Sequence, residues 1–367
     1  MKRLCRYFLR IIKPILVALG YWIWPGKGYQ DSVLAVYDFR ASPYTYNFIE
    51  FLANAEVYRI KNGLSFIDLI FVVDSKNYHR GDQPEVTTSN YRNWILNLAE
   101  CAECLRSINS FSLFESTNKF LGFYLHLSRS CKTYPENSFC YVPKSQYHLS
   151  EVADYFRKTG FVPRFQSSQV LLDWAENYFI KESYPSLPVV VFVRNSKTNP
   201  GRNTKWPVWL DFMRAIIAQY DIKFFIVNDF WNPVEIPVDL KAKVVISREA
   251  TISSKYRSAL TQRASLLMGQ CIGSSAYCFF IDTPHLLFGY DNEYYSAELN
   301  IKMHGFNSDL RPPWATSYQM VYPQHGDVDY IKERFDKMYQ LLDRDKKLIS
   351  DYFKRVSALQ NVNSVMA

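Results

Sequence analysis

Between residues 194 and 206 the chain reads RNSKTNPGRNTKW, which sets Arg194, Lys197, Arg202 and Lys205 among Asn195, Asn203 and small polar residues. Guanidinium forks and unsatisfied N–H groups at a helix start are the groups that hold a phosphate. The same letters also make an ordinary solvated loop between a strand and a helix. Such loops usually run about 2–6 residues, however, and this one is longer and carries two arginines. A second stretch, CIGSSAY at 271–277, puts Ser274 and Ser275 on a small-residue turn that a ligand could approach closely. It is neither a Walker loop nor a dinucleotide fingerprint. Asn228, at the end of KFFIVND, adds an amide to the same inventory.

Candidates for proton transfer follow two earlier apolar runs. Asp38 and Arg40 follow VLAVY, and Asp74, His79 and Arg80 follow FIDLIFVV. A carboxylate or imidazole at a strand end can accept a proton from a bound hydroxyl. Asp38 is the favoured one of the three, because Arg40 beside it would hold it ionised. The plainer reading is an Asp that caps the next helix or simply pairs with its neighbour. No zincin pair, nucleophile elbow or kinase signature occurs. Cys101 and Cys104 have the gap of half a zinc site, but the only pair that follows, Cys131 and Cys140, has the wrong one. The two are read as thiols on a helix face, and neither a metal nor a cofactor is expected.

These residues need a frame to position them. VLAVYDF (33–39) and FIDLIFVVD (66–74) are short buried runs separated by the helical periodicity of 46–63, which predicts a parallel strand–helix–strand unit. Helix over 91–107, strand over 109–115, helix over 117–129 and strand over 139–143 continue the alternation. Helices over 149–160 and 167–182 then precede a second series. It has strands at 189–194, 223–229, 243–247, 277–282 and 285–289, with helices over 206–220 and 252–268. The expected fold is α/β, with two Rossmann-like domains at 29–165 and 166–325 and amphipathic helices over 326–367. Ligands of such sheets sit outside the carboxyl ends of the strands, where the residues above fall.

The first 28 residues differ from the rest. Leu4, Phe8, Ile11, Ile12, Ile15, Leu16 and Leu19 share one side of a helix, and Arg3, Arg6, Arg10 and Lys13 the other. The apolar run from Ile15 to Trp24 is about half the ~20 residues that span a bilayer. Trp22 and Trp24 suit the headgroup level, so 1–28 is expected to lie on an anionic membrane surface. Alternatives are a helix docked on the protein's own core and an export signal. The net charge of +8 comes mostly from this leader, and the near-neutral remainder argues against a nucleic-acid partner. Seven scattered cysteines, an odd number, point to a reducing compartment and so to a cytoplasmic protein held peripherally at the inner face of the membrane.

Three stretches carry a resemblance: VYDFRASPYTYNFIEFLANAEVYR (36–59), VVVFVRNSKTNPGRNTKWPVWLDFM (189–213) and YRSALTQRASLLMGQCIGSSAYCFFID (256–282). Together, about a fifth of the chain, they resemble a bacterial family with the GT-B glycosyltransferase architecture. The resemblance implies a nucleotide-sugar donor held by the carboxyl-terminal domain without a metal. It further implies a glycan or lipid-linked acceptor at the amino-terminal domain and a place in cell-envelope polysaccharide or glycolipid synthesis. Carried over, Arg194, Asn195, Arg202, Asn203, Asn228, Ser274 and Ser275 would face the donor, and Asp38, Asp74 or His79 would be the acceptor base. The paired glutamates and the His-Gly-Gly motif of better-known subfamilies are absent. Two other readings stay open, a non-catalytic assembly protein of this architecture and an enzyme of the sugar-nucleotide epimerase type.

Overall fold

Short apolar runs that carry no stripe must be covered on both faces, and in this chain they become the central strands of parallel sheets. The computed structural model describes residues 31–74, 83, 85–127, 131–136, 148–196, 200–228, 232–270, 273–291 and 296–345. The leader with Arg3, Arg6, Arg10, Lys13, Trp22 and Trp24, the residue His79 and the strand expected over 139–143 lie outside them. The chain divides into two compact units, Met1–Val152 and Ala153–Ala367.

In the first unit, strands β1 (Ser32–Asp38), β2 (Phe66–Val72), β3 (Ile108–Phe114) and β4 (Lys132–Tyr134) form a sheet of order β3-β2-β1-β4. All its pairings are parallel. Helix α1 (Asn47–Lys61) covers one face, where Tyr37 meets the edges of Phe48 at 4.9 Å and Phe51 at 5.0 Å. Helices α2 (Tyr91–Ala102) and α3 (Thr117–Leu127) follow β2 and β3. Phe120 and Tyr124 of α3 close a cluster with Leu34, Val36, Ile70 and Val72. Alternate side chains of β1 and β2 therefore enter different cores, which is why neither strand shows a two-residue polar alternation. Cys101 and Cys104, at the end of α2, are buried, and Cys101 Sγ donates to the Asn97 carbonyl at 3.3 Å.

The second unit follows a helix, α4 (Ser150–Thr159), at which the division falls, and α5 (Gln169–Ser183). Strands β5 (Leu187–Phe192), β6 (Ile222–Val227), β7 (Val244–Ile246), β8 (Leu266–Gln270), β9 (His285–Phe288) and β10 (Gln319–Val321) build a sheet of order β10-β9-β8-β5-β6-β7. Every pairing is again parallel. This is the doubly wound order, and the direction of winding reverses between β5 and β8. Helix α6 (Trp206–Ile217) and the last described helix, α10 (Val328–Arg344), share a core with the sheet through Phe212 and Phe335, whose rings are 5.8 Å apart.

Three expectations need correction. The stretch 252–268 is not one helix: α7 (Arg248–Ile252) and α8 (Ser254–Arg263) precede it or fill it, and LLMGQ becomes β8. That run is buried along its whole length between β5 and β9, where periodicity cannot separate strand from helix. YCFFID is not a strand either, since a 3₁₀ helix runs over Gly273–Phe280. The helix α9 (Ala297–His304) and the three-residue strands β4 and β10 were not anticipated. Strands that short carry too few residues for a pattern.

The reversal imposes one strict local requirement. Gly269 has φ +139, and a Cβ there would lie 2.4 Å from the Phe192 carbonyl oxygen on β5. Gly63, which ends α1, has φ +65 and open space around it. Gly269→Ala is expected to cost about 2–4 kcal/mol, combining backbone strain with overpacking, whereas Gly63→Ala should cost about 1 kcal/mol. Melting curves of the two variants check this, and equal shifts would contradict the close approach.

Candidate functional site

Because every strand is parallel, the loops that follow them collect at one edge of each sheet. At the carboxyl edge of the first unit, Asp38 is buried to 5% exposure and already committed. Its Oδ1 accepts from the Arg40 backbone N–H and Nε, both at 2.9 Å, and Arg40 Nη2 bonds the other oxygen. Its own carbonyl accepts from Ala41 and Ser42, so Asp38 builds the turn that leaves β1. The Asp38 carboxylate, with a smaller contribution from Asp74, raises the Arg40 guanidinium above its ordinary value. The structure thus brings Asp38, Arg40 and Asp74 together.

Sequence reasoning missed a carboxylate in the same unit. Glu50, in the first turn of α1, is 8% exposed, and its Oε2 has no hydrogen-bond partner among the described residues. Burial raises its carboxyl well above the usual range, and a hydrogen bond with Asn47 opposes the shift. The signal available in the sequence was an acid inside the apolar run NFIEFLANAEV, one loop and one helical turn after a strand end.

At the carboxyl edge of the second unit, the described residues on the two sides of the loop after β5 are bonded to each other. Arg194 N–H donates to Thr204 Oγ1 at 2.9 Å, and Thr204 N–H returns to the Arg194 carbonyl at 3.0 Å. One step further out, Ser196 N–H donates to Asn203 Oδ1 at 2.9 Å, and Asn203 Nδ2 donates to the Ser196 carbonyl at 2.8 Å. Asn195 Nδ2 reaches the Asn232 carbonyl at 3.1 Å. Asn203 therefore clamps the loop, which holds Arg194 at its root and carries Arg202 on a single 3₁₀ turn. Lys205 follows as the residue before α6, a helix start with no side-chain cap.

Asn228, at the end of β6, is 3% exposed. Its Oδ1 accepts from Thr251 Oγ1 at 3.1 Å, while its Nδ2 is buried with no partner among the described residues. Ser274 and Ser275 fall on the 3₁₀ helix directly after β8, at the reversal of winding, and Ser275 is fully buried. Three residues outside the expected set complete this edge. Gln270 Nε2, at the end of β8, bonds His325 Nδ1, beyond the end of β10. The ring crosses over Gly289, where a Cβ would stand 2.8 Å from it. Burial lowers the His325 pKa, and the charge of Lys205 lowers it further. His325 is missed by sequence reasoning because β10, the strand that delivers it, is only three residues long.

Solved structures to which the chain is similar include the ADP-heptose lipopolysaccharide heptosyltransferase II of E. coli, with a TM-score of 0.47 and 9% identity over 85% of this chain and 99% of that one. A glycosyl transferase of family 9 from Veillonella parvula gives a TM-score of 0.46 and 9% identity over 88% and 98%. The wall teichoic acid polymerase TagF gives 0.36 and 9% over 100% and 97%. No family model matches the chain, and no curated protein matches it.

The second unit also contains a cavity of about 540 Å³ walled by Leu187, Val189, Ile222 and Leu266. These are residues at or near the amino ends of their strands, so it opens at the edge opposite the polar cluster. Among the described residues no three His, Cys, Asp or Glu side chains gather as metal ligands, and no helix is long and apolar enough to cross a membrane.

Burial and the Lys205 charge together set the protonation of His325. Because the folded imidazole takes up a proton less readily than an unfolded one, this residue's contribution to stability is present above about pH 6.5 and is lost as the pH falls below it. Lys205→Met is expected to raise the His325 pKa toward its ordinary value in an NMR titration. An unmoved pKa would mean that the lysine charge does not reach the ring.

Proposed function

We propose that this protein is a glycosyltransferase that takes its sugar from a nucleotide-sugar donor held at the carboxyl edge of the second unit. The observation that carries the reading is the gathering at that edge of Arg194, Arg202 and Lys205 with the Asn228 amide and the His325–Gln270 pair. In such a transfer the bond from the anomeric carbon to the diphosphate oxygen breaks, and its electron pair leaves with the phosphate. Negative charge therefore grows where fixed cations and N–H donors can meet it. Arg194 at the root of the clamped loop and Lys205 at the uncapped start of α6 supply both kinds of group. Ser274 and Ser275 stand at the reversal of winding, where doubly wound sheets take their ligands. At the other end of the reaction the acceptor hydroxyl loses a proton, and the first unit carries acids at its carboxyl edge.

The acceptor belongs to the same reading. A glycan or lipid-linked acceptor suits a protein whose residues 1–28 form a basic amphipathic stretch, and envelope polysaccharide or glycolipid synthesis at the inner membrane face would bring the two together. Removal of residues 1–28 is expected to release the protein from vesicles containing anionic phospholipid, and salt should weaken binding of the full chain. Continued co-sedimentation of the shortened protein would remove the anchor from the proposal.

Donor binding is tested by calorimetry against ADP-, UDP-, GDP- and CMP-linked sugars. Arg194→Ala and Lys205→Ala are each expected to weaken the donor that binds by about 1.5–3 kcal/mol, as the loss of a charge-assisted bond to phosphate requires. Melting curves run alongside report whether the loop still folds. No binding by the parent protein to any of the four classes would favour a non-catalytic assembly role instead.

A further inference from the structure

We propose that Glu50, rather than the strand-end Asp38, is the group that takes the proton from the acceptor hydroxyl; the inference rests on the glycosyltransferase reading. A general base needs a free oxygen lone pair and a pKa near the working pH. Asp38 lacks the free lone pair, because both its oxygens are occupied by the Arg40 guanidinium and its carbonyl is used by the turn behind it. Glu50 has what Asp38 lacks. It follows β1 by one loop and one helical turn at the carboxyl edge, and Asn47, a turn earlier, bonds its carboxyl. Its Oε2 is buried and without a partner among the described residues.

The surroundings of Glu50 explain its state. Asn54, one turn further along, donates its Nδ2 to the Glu50 carbonyl at 2.9 Å and to the His148 carbonyl at 2.8 Å, so the helix is pinned under the segment that carries His148. Three ionisable groups on the elements packed against α1 have partners of their own. Asp38 holds Arg40, Asp68 on β2 accepts from Asn109, and Arg92 on α2 pairs with Glu115. On α1 itself, Glu56 and Arg59 pair with each other. His148 is itself held toward its neutral form by burial. Desolvation is left as the main influence on Glu50, with the Asn47 amide against it.

A buried carboxyl with an unmatched oxygen is costly to keep in a fold. Because its folded pKa is raised above the unfolded value near 4.5, its stabilising protonated form is fully present only below that value. Stability is lost as the pH rises from there through the folded pKa. A neutral amide of the same shape avoids that loss. The chain therefore carries a group that weakens the fold at neutral pH, as catalytic residues commonly do. In the proposed step the acceptor oxygen forms its bond to the anomeric carbon, its proton passes to Glu50 Oε2, and the diphosphate departs with the electrons of the broken bond. With water as acceptor the same step is donor hydrolysis, and the atoms balance in the same way.

The experiment compares the parent protein, Glu50→Gln, Glu50→Asp and Asp38→Asn, with hydrolysis of the ADP-, UDP-, GDP- or CMP-linked sugar that binds best. Glu50→Gln is expected to lose at least about 100-fold in turnover while its donor affinity stays within threefold. Its melting temperature should rise at pH 8 relative to the parent, and the difference should vanish at pH 4. Glu50→Asp should recover part of the rate. The parent's rate should climb with pH along a limb displaced above the ordinary carboxylate range, and that limb should be missing from Glu50→Gln. Turnover by Glu50→Gln within threefold of the parent would overturn the assignment, as would a rate limb unchanged by the substitution. If donor binding is absent from the parent itself, the glycosyltransferase reading fails and the base assignment falls with it. Intact binding with an active Glu50→Gln sinks only the latter.

Discussion

The close approach of β5 and β8 governs much of the second unit. Phe192 and Gly269 face each other across a parallel ladder with no room for a side chain, and from that seam the sheet winds one way through β6 and β7 and the other way through β8, β9 and β10. Helices on the two faces diverge from such a seam, which leaves a crevice at the carboxyl ends of the strands. Arg194 follows β5, Asn228 follows β6, and Ser275 follows β8, so all three fall at the carboxyl ends of their strands. Parallel pairing thus converts residues far apart in sequence into neighbours at one edge.

The same constraint decides what the cations can do. The two described ends of the loop, joined by the Arg194–Thr204 and Ser196–Asn203 pairs, are held together before any ligand arrives. Binding then loses less to ordering than it would with a free loop. His325 illustrates a second consequence. Its ring lies across Gly289 against Gln270, so three successive strands of the sheet, β8, β9 and β10, contribute to one small contact. The Lys205 charge adds to burial in keeping that ring neutral, so it can stand close to a cation without repelling it.

Much of this frame was legible in the sequence, for physical reasons that also mark where legibility ended. VLAVYDF and VVVFVR are long enough, and bounded clearly enough, to read as buried strands, and the long helices carry a full 3.6-residue rhythm. LLMGQ failed because five buried residues look the same in either structure, and YCFFID because its aromatic residues fill a 3₁₀ helix packed on all sides. At the site, the loop at 194–206 was visible as a cluster of charges, whereas His325 depended on β10 and Glu50 on the burial of a whole helix. Neither of those can be seen by scanning for polar residues at strand ends.

Residue type says less than whether each polar atom is satisfied. Asn203 and Asn228 are the same amino acid at the same edge, and both were candidates for the same role. Asn203 uses its oxygen and its nitrogen to close the loop, so its amide is spent on the fold. Asn228 uses only its oxygen, on Thr251, and keeps a buried nitrogen without a partner among the described residues. Asp38 and Glu50 divide in the same way, one saturated by Arg40 and the other with an oxygen left over. Leaving a buried donor or acceptor unmatched costs roughly 1–3 kcal/mol, a large fraction of a domain's stability. Glu50 and Asn228 each carry such an atom at the carboxyl edge of their sheet. At these two positions it is the unmatched atom, rather than the charge, that separates a side chain spent on the fold from one with a bond left to make.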